Sequence, residues 1–167
     1  MSPLVSIIMG STSDLPVMEK AAKLLEEMQV PFEMNALSAH RTPIEVEQFA
    51  RTAQSRGLRV IIAGAGMAAA LPGVIAASTN VPVIGVPIKG LLDGLDALLS
   101  MVQMPPGIPV ATVGVNGAQN AAILAVQILA QSDAALSERL AAYKERLKDK
   151  VVKANEELAA IEYAYKV

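Results

Sequence analysis

The sequence predicts an α/β domain: a parallel sheet with helices on both faces and one long helix at the C-terminus. Three observations predict it. Short apolar runs rich in Val and Ile recur along the chain, as strands buried on both faces require. Longer stretches with helical periodicity separate them, so each strand feeds a crossover helix and returns parallel. The 167 residues show no linker and no repeat, which fits one domain, residues 1–167, large enough to bury a core.

The elements follow in order. Leu4 to Met9 is a buried-type strand that ends at Gly10. Pro16 to Gln29 is helical, with Val17, Ala21, Leu24, Leu25 and Met28 on one stripe and Glu19, Lys20, Lys23, Glu26 and Glu27 opposite. Phe32 to Leu37 is the second strand. Pro43 to Arg56 is a helix with Thr42 as N-cap, Pro43 at the first position and Gly57 as the stop. Leu58 to Ala63 is the third strand and Ala68 to Ser78 a helix of small residues. Pro82 to Val86 is the fourth strand, Leu91 to Val102 an amphipathic helix, Val110 to Val113 the fifth strand, and Asn116 to Gln131 an Ala-rich helix. Ser132-Asp133 caps a last helix over 134–165, and residues 133–165 form a helical extension. About 30 helical residues span roughly 45 Å, which outruns a compact body. Val151, Val152, Leu158, Ile161, Tyr163 and Tyr165 therefore predict packing on a neighbouring subunit rather than a solvated tail.

Composition excludes several classes. Apolar residues are 53% of the chain and charged ones 18%, while aromatics are only 3%, so the core is built from Ala, Val, Ile, Leu and Met. That apolar content predicts buried strands together with a large subunit interface. A net charge of −2 gives no general attraction to nucleic acid or to an anionic membrane. With no cysteine, disulfides, thiolate catalysis and Cys-ligated zinc are excluded. The first ten residues lack a basic segment, their apolar run is too short for a signal peptide, and no stretch reaches the roughly 20 apolar residues of a membrane helix. A cytoplasmic location is the expectation.

In an open parallel sheet, ligands bind at the carboxyl ends of the strands, and the informative residues lie there. Loop one, Gly10-Ser11-Thr12-Ser13-Asp14, offers a glycine, hydroxyls and amides ahead of a helix, which makes an anion or phosphate cradle. Asp14 either caps the helix or binds a sugar hydroxyl. Loop two, Ser38-Ala39-His40-Arg41, holds the only imidazole of the chain. Histidine gives and takes protons near neutrality, and Arg41 supplies a planar fork for phosphate or carboxylate, unless it pairs with Glu45. Loop three, Ala63 to Gly73, superficially fits a dinucleotide fingerprint at Gly64, Gly66 and Ala69. It follows the third strand rather than the first, and no acidic residue lies about 20 positions on, so that reading fails. The glycines predict instead a backbone-lined pocket. Loop four, Pro87 to Gly90, offers Lys89, read as a solvated lysine. Loop five, Gln103 to Pro109, has three prolines and forms a stiff wall. One His and no Cys build no typical zinc site, and the chain has no nucleophile elbow. The chemistry that fits is proton transfer on a phosphorylated small molecule held by loops one and two.

At these loops the sequence resembles class I N5-carboxyaminoimidazole ribonucleotide mutases. The matching segments are Met9 to Asp14, Ser38 to Pro43, Ile61 to Gly66, Leu71-Pro72-Gly73, Pro82 to Pro87, Gln103 to Val110, and Asn120-Ala121-Ala122, in one register across about residues 4–131. The resemblance implies a three-layer α/β/α flavodoxin-like parallel sheet with a long C-terminal helix. It implies a homo-octamer that needs no metal and no nucleotide cofactor. It also implies isomerisation of N5-carboxyaminoimidazole ribonucleotide to 4-carboxy-5-aminoimidazole ribonucleotide in purine biosynthesis. His40 would be the general acid and base; Ser11, Ser13, Asp14, Ser38 and Arg41 would hold the ribose phosphate end. Backbone amides of Gly64, Ala65 and Gly66 would form the tight pocket that traps released carbon dioxide, and Leu71 would also contact substrate.

One departure stands out. Class I members commonly carry Gly-Ala-Ala-His-Leu-Pro-Gly where this chain has Met67-Ala68-Ala69-Ala70-Leu71-Pro72-Gly73, so Ala70 replaces a histidine and Met67 a glycine. His40 is left as the only imidazole. Two competing readings are a direct carboxylase of aminoimidazole ribonucleotide and a non-catalytic flavodoxin-like module that binds flavin mononucleotide or a phosphorylated metabolite. The scarcity of aromatics in the loops argues against flavin stacking. A phosphoacceptor domain is disfavoured because the third strand ends in Ala-Gly rather than Asp.

Overall fold

In the computed structural model, which describes residues 2–167, five parallel strands form one sheet. They are β1 (Val5–Met9), β2 (Phe32–Ala36), β3 (Val60–Ala65), β4 (Val83–Pro87) and β5 (Ala111–Thr112), in the spatial order β2-β1-β3-β4-β5. The chain steps outward from β1 to β2 and then back across β1 to β3. The loops leaving β1 and β3 therefore diverge and open a crevice at the carboxyl edge of the sheet.

The helices are α1 (Leu15–Glu27), α2 (Pro43–Thr52), α3 (Leu71–Ala77), α4 (Leu95–Val102), α5 (Ala118–Ala130) and α6 (Ala134–Ala159). Alternation along the strands divides the core in two. Val5, Ile7, Met9, Val60 and Ile62 face α1 and α5, joined by Leu136, Leu140 and Tyr143 from the start of α6. Ile8, Ile61, Ala63 and Val83 face the other way, onto Val46, Ile75 and Met101 of α2, α3 and α4. Ile7, Ile8, Ile61 and Ile62 are fully buried, each contributing roughly 1.5–3 kcal/mol by leaving water. The fold is thus three layers, as expected, and the inner strands are apolar on both faces because both are covered.

The edge strand β2 is handled differently. Ser6, buried in β1, donates to Glu33 on β2 at 3.0 Å, and Glu33 receives Arg56 through both carboxylate oxygens at 3.0 and 2.9 Å. Arg56 lies over the Phe49 ring at 4.9 Å. The charge clasp breaks up the apolar edge of this half-exposed strand, where Met34 remains exposed, and so discourages stray pairing.

Several boundaries differ from the sequence expectation. A single 3-10 turn, Thr12–Asp14, precedes α1, which ends at Glu27 rather than Gln29. The second helix ends at Thr52 rather than Arg56, and turns carry the chain to Gly57 at φ +91. The third strand starts two positions later and continues through Gly64 and Ala65, which pair with Val86 and Pro87 of β4. The third helix starts at Leu71 rather than Ala68, because Met67 and Ala69 hold positive φ angles of 55° and 22°. The fourth starts at Leu95, after Asp93 and Gly94 turn left-handed at 55° and 88°. The fifth starts at Ala118, past the left-handed Asn116.

The C-terminal helix is long, but it stops at Ala159 rather than 165. Asp133 caps its start as expected, accepting from the Leu136 amide at 2.9 Å. At the other end Lys166 folds back, and its ammonium donates to the carbonyls of Ala159 at 3.0 Å and Ile161 at 2.7 Å. A cation on terminal carbonyls satisfies their lone pairs and the negative end of the helix dipole.

Candidate functional site

Loop one is compact because its own side chains satisfy it. The Ser11 hydroxyl accepts from the Ser13 amide at 3.3 Å, and the Asp14 amide donates to the Ser11 carbonyl at 3.1 Å. The Ser13 hydroxyl meets the Asp14 carboxylate at 3.4 Å. Asp14 occupies the N-cap position of α1 but makes no capping bond there, so its carboxylate stays available at the mouth of the loop. Of its two readings from sequence, the cap is the one the structure removes.

Loop two is clasped onto loop one. Thr42 holds the N-cap position of α2, yet its hydroxyl does not cap the helix. It turns back, accepting from the Ser38 amide at 2.9 Å and donating to the Ser38 carbonyl at 3.1 Å. The Ser38 hydroxyl in turn accepts from the amide of Arg41 at 3.2 Å and from its Nε at 3.3 Å. The Arg41 guanidinium reaches across the strand gap and donates to the Gly10 carbonyl at 2.8 Å. Arg41 thus links the two loops rather than pairing with Glu45. His40 sits at the tip of this turn, exposed, and among the described residues no side-chain hydrogen bond holds its imidazole. It is presented by a rigid loop and left free to meet a ligand.

The β3 side of the crevice is apolar. Gly64 and Ala65 were expected in the loop, but both are buried inside β3. Gly64 is glycine for packing: a Cβ there would lie 2.5 Å from the sulfur of Met18, which α1 seats against the sheet. The Leu71 side chain is 2% exposed within the core, at the first position of α3. Gly66 alone of the three stands outside the strand, half-buried, its carbonyl accepting from the Ala69 amide at 3.1 Å.

Sequence reasoning missed two residues that hold the site together. Thr42 is one. The other is Asn116, whose side chain accepts from the Lys89 amide at 2.9 Å while its own amide donates to the Pro87 carbonyl at 2.8 Å. Asn116-Gly117 is a turn signal and could have shown that the helix starts later. Lys89 itself is a solvated loop lysine, as read, paired with Asp93 at 3.0 Å. Among the described residues, no group of three or more His, Cys, Asp or Glu is arranged to hold a metal ion. A cavity of about 620 Å³ opens at the opposite, amino edge of β4, lined by Arg51, Asn80 and Pro109. Loop five, expected beside the other loops, runs from α4 into the start of β5 and lines this cavity through Gly107, Ile108 and Pro109, away from loops one to three.

Burial pushes the Asp14 carboxyl above its ordinary value of 3.8, against the Ser11 backbone, the Ser13 hydroxyl and the Arg41 charge, which all favour ionisation. A carboxyl raised on folding favours the folded state while protonated, fully below the unfolded pKa. It loses that contribution as pH rises through the folded value. At neutral pH the ionised Asp14 therefore costs stability. Asp14→Asn is expected to raise the melting temperature slightly at neutral pH, with the advantage vanishing below the ordinary aspartate value. Thermal melts across pH check this.

The self-bonded loop after β1, the His–Arg turn clasped onto it and the apolar wall after β3 make up one crevice. The family model described as AIR carboxylase matches residues 4–150. This chain belongs to the AIR carboxylase family. Its family relatives include an N5-carboxyaminoimidazole ribonucleotide mutase of Pyrococcus abyssi, 62% identical over 87% of this chain and 84% of that one. Another, from Thermotoga maritima, carries the same name and is 52% identical over 96% and 95%. A phosphoribosylaminoimidazole carboxylase of Schizosaccharomyces pombe is 54% identical over 96% of this chain, which spans only 29% of that longer protein. Among solved structures, Treponema denticola PurE superposes with a TM-score of 0.84 at 30% identity, covering 93% of this chain and 98% of that one. The AIR carboxylase match spans β1 through about the first two thirds of α6, so every loop of the crevice lies inside it.

Proposed function

We propose that this chain is an N5-carboxyaminoimidazole ribonucleotide mutase of purine biosynthesis. The observation that carries the reading is the clasp of Arg41 onto the Gly10 carbonyl. It brings a phosphate cradle and the only imidazole of the chain to one crevice. High identity to relatives named as mutases over nearly their whole length supports it.

In this reading the ribose phosphate lies against Ser11, Ser13 and the Arg41 fork, where loop amides precede α1. Asp14 and Ser38 take ribose hydroxyls or phosphate oxygens at the same edge. The base then extends over Gly66 toward the apolar wall. His40 begins protonated. As the bond between the exocyclic nitrogen and the carboxylate carbon breaks, its electron pair stays on nitrogen, His40 protonates that nitrogen, and carbon dioxide is freed. The neighbouring ring carbon attacks carbon dioxide, forming a carbon–carbon bond, and its proton passes to His40. The imidazolium is restored, so one histidine serves both steps and the proton count closes. A cytoplasmic homo-octamer completes the reading. The exposed Val151, Val152, Leu158 and Ile161 along and just beyond the free half of α6 support a subunit contact there, which sedimentation of the full chain measures.

The yeast relative's name keeps direct carboxylation as the second reading. The test gives the purified chain each ribonucleotide in turn. Turnover of the carboxyamino form without added bicarbonate is expected. Turnover only of aminoimidazole ribonucleotide with carbon dioxide overturns the mutase assignment.

A further inference from the structure

Met67 stands in a conformation that its residue type resists. Its φ is +55°, in the left-handed region where a Cβ crowds the backbone and glycine is relaxed. Two positions on, Ala69 also has positive φ, at 22°. The segment is nevertheless anchored. Ala69 is 3% exposed, its amide is bonded to the Gly66 carbonyl, and Leu71 beyond it is buried. Met67 and Ala68 rise from this base, and Met67, 63% exposed, is the one large side chain there, at the carboxyl end of the strand that borders the crevice. A large flexible apolar side chain on a strained but fixed stem is a local conflict, and such conflicts concentrate at functional positions.

The surroundings indicate which function. From Val60 to Ala77 no side chain ionises or donates a hydrogen bond. The β3 wall of the site therefore offers a bicarbonate or carboxylate anion main-chain amides but no charged or hydroxyl side chain. Free carbon dioxide is small, uncharged and weakly polar. An uncharged molecule gains little from those amides, so such a wall retains it chiefly by enclosure, and enclosure needs bulk at the loop tip. Met is suited to this, with three rotatable bonds and a polarizable sulfur that fill irregular gaps.

We propose that Met67 is the residue that retains carbon dioxide in this chain between its release from nitrogen and its capture by the ring carbon. The inference rests on the mutase reading above. It makes Met67 a determinant of reaction fidelity: it governs whether the freed carbon dioxide is captured or lost as aminoimidazole ribonucleotide plus carbon dioxide.

The experiment runs the mutase reaction with unlabelled substrate in ¹³C-bicarbonate and carbonic anhydrase, and weighs the carboxylated product. Wild type is expected to keep the substrate's own carboxylate. Met67→Gly removes bulk and strain together, so it melts no lower than wild type, and incorporates about tenfold more label, the equivalent of ~1.4 kcal/mol off the barrier to escape. Met67→Ala keeps the strain but loses the bulk, and leaks likewise. Met67→Leu keeps apolar bulk and retains as wild type does. Label incorporation equal in all four proteins, or a leak in Met67→Leu as large as in Met67→Ala, overturns the proposal. A wild type that incorporates label in every turnover, or that turns over only with bicarbonate present, overturns the mutase reading instead.

Discussion

Replacing His40 with Asn is expected to abolish turnover and leave ribonucleotide binding nearly intact. Asn keeps a polar tip of similar reach but neither gives nor takes a proton near neutrality. No second imidazole exists to stand in, because the chain has one histidine and Ala70 occupies the other loop position. General acid–base catalysis contributes about 10²–10⁴-fold per step. Here one group serves both the departure from nitrogen and the deprotonation of carbon, so the loss is expected at or beyond the upper end of that range. Binding survives because the loop does not depend on the imidazole. Ser38, Arg41 and Thr42 hold the turn through bonds at 2.8–3.3 Å, none of which involves the His40 side chain. Single-turnover rates and calorimetric affinity, measured on the same preparation, separate the two effects. Wild-type turnover in His40→Asn removes it from the mechanism, and lost affinity with lost turnover makes its role one of binding.

The layers of this fold were legible because they depend on periodicity. Val5, Ile7 and Met9 face one layer and Ile8 the other, and that alternation is written directly in a two-residue period. The loops that leave β1, β2, β3 and β4 were legible for the same reason, since a parallel sheet brings them to one side; loop five was misplaced, because Gln103 to Pro109 enters β5 rather than leaving a strand. What periodicity cannot show is where the backbone leaves its regular form. Met67, Ala69, Asp93 and Asn116 carry positive φ without being glycine, and three helices therefore begin later than their residue types suggest. Thr42 illustrates a different limit. A threonine before Pro-Ile-Glu reads as a cap from local sequence, yet its hydroxyl is drawn to Ser38, four residues back. Gly64 was read as a pocket residue because glycine allows close approach of a ligand; that Met18, on a helix far along the chain, also packs where a Cβ would stand is not written locally.

Arg41→Ala is expected to raise KM roughly ten- to a hundredfold with kcat little changed, since a hydrogen bond to a charged partner is worth about 1.5–3 kcal/mol and Arg41 is exposed enough for solvent to reduce that. The effect falls on binding because the clasp divides its labour. The Thr42 hydroxyl pins both the amide and the carbonyl of Ser38, so loop two keeps its shape and still presents His40 when the guanidinium is gone. What disappears is the link to the Gly10 carbonyl and the cationic fork beside loop one. Arg41→Lys restores charge without the fork and is expected to recover only part of the affinity. The phosphate supplies the decisive comparison. If Arg41 acts on it, a substrate analogue lacking phosphate binds wild type and Arg41→Ala equally weakly, because each change removes one partner of the same contact. An Arg41→Ala penalty that persists in full with the dephosphorylated analogue assigns the guanidinium to the loop link or to the base end of the substrate. The phosphate must then rest on the loop-one hydroxyls and amides alone.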